Sequence, residues 1–259
     1  MKKLIIANWK MNPETSDEAE RLSREIQQGA HGLKNVEVVL CPPFPYLSSV
    51  NPQMSNVKLG AQNCFYEQKG AYTGEVSPFM LKDMGCEYVI IGHSERKKYF
   101  GETNEIINKK VKAALNSGLK VILCIGEDTR DSFDKKGRWT NELDPKVKEQ
   151  LMDALRDIKK SKLTNIAVAY EPVWAIGTGN PAIPDDILSA KIFIKKILSD
   201  LYTRKEADKV KVLYGGSTNK KNAVDFITDG QADGLLVGGA SLDAEEFIAM
   251  IKSINNANS

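Results

Sequence analysis

The sequence predicts an α/β protein, a (β/α)8 barrel in which eight parallel strands are surrounded by helices. Three observations carry this expectation: eight short apolar, β-branched runs recur along the 259 residues, segments with helical spacing separate them, and no change of composition marks a linker. Strands that are apolar almost throughout are buried on both faces, as a parallel sheet requires. Regular alternation with helices gives parallel strands joined by right-handed crossovers. Eight such repeats in roughly 250 residues is the size at which the sheet closes on itself. The whole chain, residues 1–259, is therefore read as one domain able to bury a large core.

The elements follow in order. The run Leu4 to Ala7 comes after a charged start and stops at Asn8, too short for a signal peptide or a membrane span, so it reads as the first strand. Ser16-Asp17-Glu18-Ala19-Glu20 opens the first helix. Val36 to Leu40, Val57 to Ala61 and Tyr88 to Ile91 are the next three strands. Glu105 to Val111 continues a helix that Gly118 stops, and Lys120 to Ile125 is the fifth strand. The polar stretch Asp128 to Asp144 reads as a surface excursion. Ile166 to Ala169 is the sixth strand, and Pro184-Asp185-Asp186 begins a helix with Ile187, Ala190, Ile194 and Leu198 on its apolar face. Val210 to Tyr214 and Gly234 to Val237 complete the set.

Composition narrows the function. Lys and Arg number 36 against 34 Asp and Glu, a net charge of +2, which argues against a surface built for nucleic acid or an acidic membrane. A small anionic substrate needs only one or two local cations. Cys41, Cys64, Cys86 and Cys124 are widely spaced, form no CxxC pair and lie in or beside apolar segments. They read as reduced, buried thiols of a cytoplasmic protein rather than as disulfides or a zinc site.

A closed parallel barrel gathers its chemistry at the C-terminal ends of its strands. The first run hands over to Asn8-Trp9-Lys10, the third to Gln62-Asn63, the fourth to Gly92-His93-Ser94-Glu95, the fifth to Gly126-Glu127 and the sixth to Glu171. The seventh gives Gly215-Gly216-Ser217 and the eighth Gly238-Gly239-Ala240-Ser241. Glycine pairs after two adjacent strands let backbone N–H groups close on an anion such as a phosphate. Position alone leaves Lys10 open between a solvated lysine and a binding cation, His93 between a structural and a functional histidine, and Glu171 between a cap and a base. His31, in a polar turn, reads as incidental. A cap does not explain why Glu171 is followed by Pro172, Trp174, Gly177 and Gly179.

These residues resemble the triosephosphate isomerase family. The motifs N-W-K-M-N (8–12), G-A-Q-N (60–63), T-G-E (73–75), G-H-S-E-R (92–96), C-I-G-E (124–127), Y-E-P-V-W-A-I-G-T-G (170–179), Y-G-G-S (214–217) and L-V-G-G-A-S-L (236–242) occur in the family's order across nearly the whole chain. The resemblance implies a TIM barrel without metal or organic cofactor. It implies Glu171 as the base, His93 as the electrophile, Lys10 as a substrate-binding cation and Asn8 as its polar partner. Phosphate would be held by N–H groups of Gly177, Ser217 and Gly239, with Gly238 beside them. Ser94-Glu95-Arg96 would begin a helix aimed at the His93 ring. The loop from Cys64 to Pro78 would interlock two copies of a homodimer, Thr73 reaching toward the other copy's site.

The chain departs from the family pattern at Lys97 and Lys195, where arginine is usual, and at Asn180-Pro181, where the loop after Glu171, which the resemblance implies closes over the site as a lid, usually has lysine at its C-terminal hinge. Lysine lacks arginine's fork, so ion pairing at both lysines, including Lys195 with Asp233, is expected to be weaker. Pro181 fixes its own φ and restricts Asn180. Two rival functions make different demands on the sequence. A phosphosugar aldolase of this fold would want a Schiff-base lysine in strands five to seven, and an idle interaction scaffold would have lost Glu171, His93 or Lys10.

Overall fold

The computed structural model describes residues 2–50, 55–128, 145–175 and 182–258. The strands are β1 (Lys3–Asn8), β2 (Val36–Cys41), β3 (Val57–Ala61), β4 (Tyr88–Ile91), β5 (Lys120–Ile125), β6 (Ile166–Tyr170), β7 (Lys211–Tyr214) and β8 (Gly234–Val237). They form a closed barrel in sequence order, all pairings parallel, with β1 returning to β8 through Leu4 opposite Gly234 and Ala7 opposite Val237. The main helices outside it are α1 (Ser16–Ala30), α2 (Pro78–Asp83), α3 (Ser94–Phe100), α4 (Asn104–Asn116), α5 (Pro145–Ala154), α6 (Pro184–Leu201), α7 (Arg204–Ala207), α8 (Ala223–Thr228) and α9 (Ala244–Ala257).

The pleat sorts each strand into two cores, because successive side chains point to opposite faces. Leu4, Ile6, Val39, Cys41, Tyr88, Ile90, Ile122, Cys124, Ala167, Ala169, Leu213 and Leu236 fill the barrel interior. Their alternates, among them Ile5, Ala7, Val38, Leu40, Val89, Val121 and Val168, pack outward in a second cluster that includes Ile26, Ile107, Leu151, Ile194 and Phe247 from the helices. Gly60 and Gly234 keep the inner face narrow. A Cβ on Gly234 would stand 1.9 Å from the Leu4 carbonyl oxygen, and one on Gly60 would stand 2.7 Å from Cys41 Sγ.

Helix limits follow local chemistry. Thr15 caps α1 by accepting the Glu18 N–H, and the first turn carries Asp17 and Glu18 where the helix dipole favours anions. Gly118, at φ +82°, follows the end of α4, and α6 begins at Pro184 with Ile187, Ala190, Ile194 and Leu198 all buried as expected. All four cysteines are buried and free. Burial pushes the Cys64 and Cys86 thiols up to about 12.

Two expectations about lysine ion pairs need correction. Asp233 pairs with Lys191 at 2.9 Å, while Lys195 Nζ turns to the carbonyls of Ala207 (2.7 Å) and Asp208 (3.3 Å). An ammonium can satisfy several converging carbonyls at a chain reversal, and Lys191 lies one helical turn nearer Asp233. Lys97 likewise forms no ion pair among the described residues; it donates to the Cys124 carbonyl (3.2 Å) and to Gln150 Oε1 (2.9 Å). The stretch 129–144 and the hinge residues Asn180-Pro181 lie outside the described residues.

Candidate active site

Strand parity delivers the central carboxylate. In β6 the inward series runs Ala167, Ala169 and then Glu171, the first residue beyond the strand, whose N–H donates to the Ile125 carbonyl at 2.7 Å. Glu171 is 1% exposed. Space for it depends on two glycines: a Cβ on Gly215 would stand 2.9 Å from Glu171 Cγ, and one on Gly126 would stand 1.7 Å from the Glu171 carbonyl oxygen. Glu171 Oε2 accepts the Ser94 N–H at 2.9 Å, whereas Oε1 is buried and accepts no hydrogen bond among the described residues.

His93 follows the turn at Gly92, whose φ of +74° suits glycine, and it caps α3. Its Nδ1 accepts the Glu95 N–H at 3.2 Å. That nitrogen therefore carries no proton, and Nε2 is the N–H of a neutral ring. Nε2 lies 3.1 Å from Glu171 Oε1. The expectation of a helix start aimed at the ring is met, and the same first turn holds both His93 and Glu171.

On β1 the inward series Leu4, Ile6, Asn8 leads to Lys10. Lys10 has φ +55°, a left-handed conformation that costs a non-glycine residue on the order of 1–3 kcal/mol. Gln62 Nε2 holds it by donating to the Lys10 carbonyl (2.7 Å), and the Lys10 N–H donates to Asn8 Oδ1 (3.1 Å). The ammonium reaches Glu95 Oε1 at 2.5 Å. A Cβ on Gly238 would stand 3.2 Å from Lys10 Cε, so that glycine leaves room for the lysine stem.

Asn8, Lys10 and His93 share a cleft of about 280 Å³ with Gly215, Gly216, Ser217, Gly238 and Gly239. The glycine pairs do face the same space as the cation. Ser217 Oγ donates to the Ala175 carbonyl at 2.8 Å, linking the end of β7 to the segment after Glu171. Within that segment Trp174 Nε1 donates to Glu127 Oε1 (3.0 Å), which also takes the Tyr170 hydroxyl (2.5 Å). Gly177 and Gly179 lie outside the described residues.

The structure brings Asn8, Lys10, His93, Glu171, Ser217, Gly238 and Gly239 to one mouth. The sequence placed Ser94 and Glu95 at the helix start facing His93 and Gln62 at the rim. It gave no sign that the Ser94 N–H holds Glu171, that Glu95 pairs with Lys10, that Gln62 holds the Lys10 carbonyl or that Gln150 holds the end of β5. The lysines within β5 to β7, Lys120 and Lys211, begin their strands at the opposite mouth, away from the place an aldolase lysine would need. Among the described residues no cluster of His, Cys, Asp and Glu is arranged to hold a metal ion, and no helix is long and apolar enough to cross a membrane.

Fold and site together define a class: a (β/α)8 barrel enzyme with a carboxylate, a neutral imidazole and a cation at the C-terminal mouth beside a glycine-lined cleft. The family model described as triosephosphate isomerase matches residues 3–254. Proteins named triosephosphate isomerase from Dictyoglomus thermophilum (45% identical, covering 97% of this chain and 99% of that one), Endomicrobium trichonymphae (45%, 97% and 98%) and Aquifex aeolicus (43%, 98% and 100%) are similar end to end. The chain belongs to the triosephosphate isomerase family.

Proposed function

We propose that this chain interconverts dihydroxyacetone phosphate and D-glyceraldehyde 3-phosphate by proton transfer through an enediolate, serving glycolysis and gluconeogenesis in the cytoplasm. Glu171 is the base that moves the proton between C1 and C2. Removing a proton beside a carbonyl builds charge on oxygen, so donors must face that oxygen. His93 Nε2–H and the Lys10 ammonium are these donors, and Asn8 positions Lys10. N–H groups at Gly177, Ser217 and Gly239, with Gly238 beside them, hold the phosphate.

The observation that carries the reading is the state of Glu171: a buried carboxylate with one oxygen engaged by Ser94 and the other without a hydrogen bond, 3.1 Å from His93 Nε2. Leaving a buried acceptor unsatisfied is costly for folding alone, and such exceptions concentrate where a group has chemistry to do. The neutral histidine fits a donor that stabilises an oxyanion without surrendering its proton outright.

A coupled assay for glyceraldehyde 3-phosphate formation, run on wild type and Glu171→Gln, tests the assignment. The glutamine variant should lose about 1000-fold in kcat, within the usual range for a general base. Absence of turnover in wild type, or equal rates in the two, refutes it. We further propose a homodimer through the 64–78 loop, with Thr73 approaching the other copy's site. Support comes from Met11, 92% exposed beside Lys10, and Tyr72, 44% exposed at the loop.

A further inference from the structure

Lys97 stands in the second turn of α3 and lines, with Lys10, Gly126, Gln150 and Glu171, a cavity of about 550 Å³ next to the glycine-lined cleft, and its ammonium is turned inward. It donates to the Cys124 carbonyl at 3.2 Å and to Gln150 Oε1 at 2.9 Å. Gln150, from α5, uses its whole amide on one residue of the barrel rim: Oε1 accepts the Gly126 N–H at 3.0 Å and Nε2 donates to the Gly126 carbonyl at 2.8 Å. Gly126 is the residue against which the Glu171 backbone packs, with no room for even a methyl group between them. Helix α3 thus meets Glu171 twice. Its first turn holds the carboxylate through Ser94, and its second turn holds the adjoining strand end through Lys97 and Gln150.

We propose that Lys97 is a positioning residue for the proton transfer: with Gln150 it clamps the end of β5 beneath Glu171 and keeps a fixed positive charge behind that carboxylate. The inference rests on Glu171 being the base. No carboxylate within ion-pair distance neutralises Lys97 among the described residues, so its field is not cancelled by a direct partner. The charged and titratable groups acting on it are Glu171, Cys124, Glu102 and Asp128, and Glu171 is the strongest of them. Those around Glu171 itself are His93, Lys97 and the Cys124 thiol, with the Lys10–Glu95 pair beyond the ring. Burial pulls the Lys97 ammonium below the ordinary lysine range, and the carboxylate opposes that loss. A guanidinium at this position would keep the charge, whereas a neutral residue would keep only the bridge.

Two variants separate charge from tether. Lys97→Gln retains a donor for Gln150 and loses the charge. The acid limb of its kcat/KM profile should move to higher pH, because a nearby cation favours the ionised base, so that kcat/KM on that limb drops about threefold. Lys97→Arg should restore the wild-type limb. Gln150→Leu keeps the charge and cuts the tether; its kcat should drop about tenfold with KM changed less than about twofold and the limb unmoved. A folded Lys97→Gln whose acid limb coincides with wild type overturns the proposal. If Lys97→Gln does not fold, an unchanged kcat in Gln150→Leu overturns it instead. Glu171→Gln in the same series isolates the premise, since wild-type turnover there would remove the base and this role together, whereas an inactive Glu171→Gln beside an unmoved limb removes this role alone.

Discussion

Glu102 is 8% exposed and lies between two cations: Lys110 Nζ donates to its Oε1 at 2.5 Å, and Arg96 Nε donates to the same oxygen. Lys110 is itself 3% exposed, with Asn63 Oδ1 as a further acceptor at 2.9 Å. The group ties α3, α4 and the end of β3 behind the site. Removing one member of a buried ion pair strands the other, which typically costs 3–5 kcal/mol. Glu102→Ala is therefore expected to lower the melting temperature by about 10 °C for a chain of this size, read by circular dichroism on heating; a change below about 2 °C would refute the role. The contrast with Glu171 shows what sequence exposes at this scale. Glu171 was legible because strand parity and a strand end are local facts. Its partner Ser94 is 77 positions away, and the Gln62 that holds Lys10 is 52 away, so neither contact leaves a trace in spacing. The same holds for Lys97, which reads as a weakened ion pair until its acceptors in β5 and α5 are seen.

At the scale of elements, the strands were legible because burial on both faces writes an unbroken apolar run. The first, second and sixth strands extend one residue further at the C-terminal end than their runs, into Asn8, Cys41 and Tyr170; Asn8 and Cys41 follow the inward series, whereas Tyr170 packs outward. The short α2, α7 and α8 carry too few turns to show a periodic face. What no run announces is how closely β5 and β6 approach at their exits. Glu171 N–H donates to the Ile125 carbonyl and Val173 N–H to the Glu127 carbonyl at 2.9 Å, with Gly126 pressed between. Gly126→Ala would force a methyl carbon into the Glu171 carbonyl, and backbone cannot yield as a side-chain tip does. The strand ends must part, carrying the carboxylate with them. A displacement near 1 Å is worth about 100-fold in rate, so kcat should collapse by roughly that factor while far-UV circular dichroism stays that of the barrel. Retention of wild-type kcat would show that the exits have slack that this packing denies.

At the scale of the whole molecule, the described chain leaves an apolar surface next to its own chemistry. Met11 is almost fully exposed directly after Lys10, whose left-handed backbone aims the following residue outward. In the loop after β3, Phe65 stacks on Tyr66 (4.2 Å between centroids) and touches Tyr72 (4.7 Å), which stays partly bare. Solvated apolar groups at the rim of a site favour association, and a second copy bringing Thr73 toward Lys10 and His93 would cover them. If so, Lys10 keeps its strained backbone best inside a dimer, and dilution should lower specific activity in step with the dimer fraction measured by sedimentation. Met11→Glu puts a charge into that contact and should shift the equilibrium toward monomer, lowering kcat at concentrations where wild type remains paired. Raising the variant's concentration well above that level should return part of the lost activity, which separates a weakened contact from a damaged site. A monomer by sedimentation that turns over at the full rate would refute the dependence and leave Met11 as a bare surface residue.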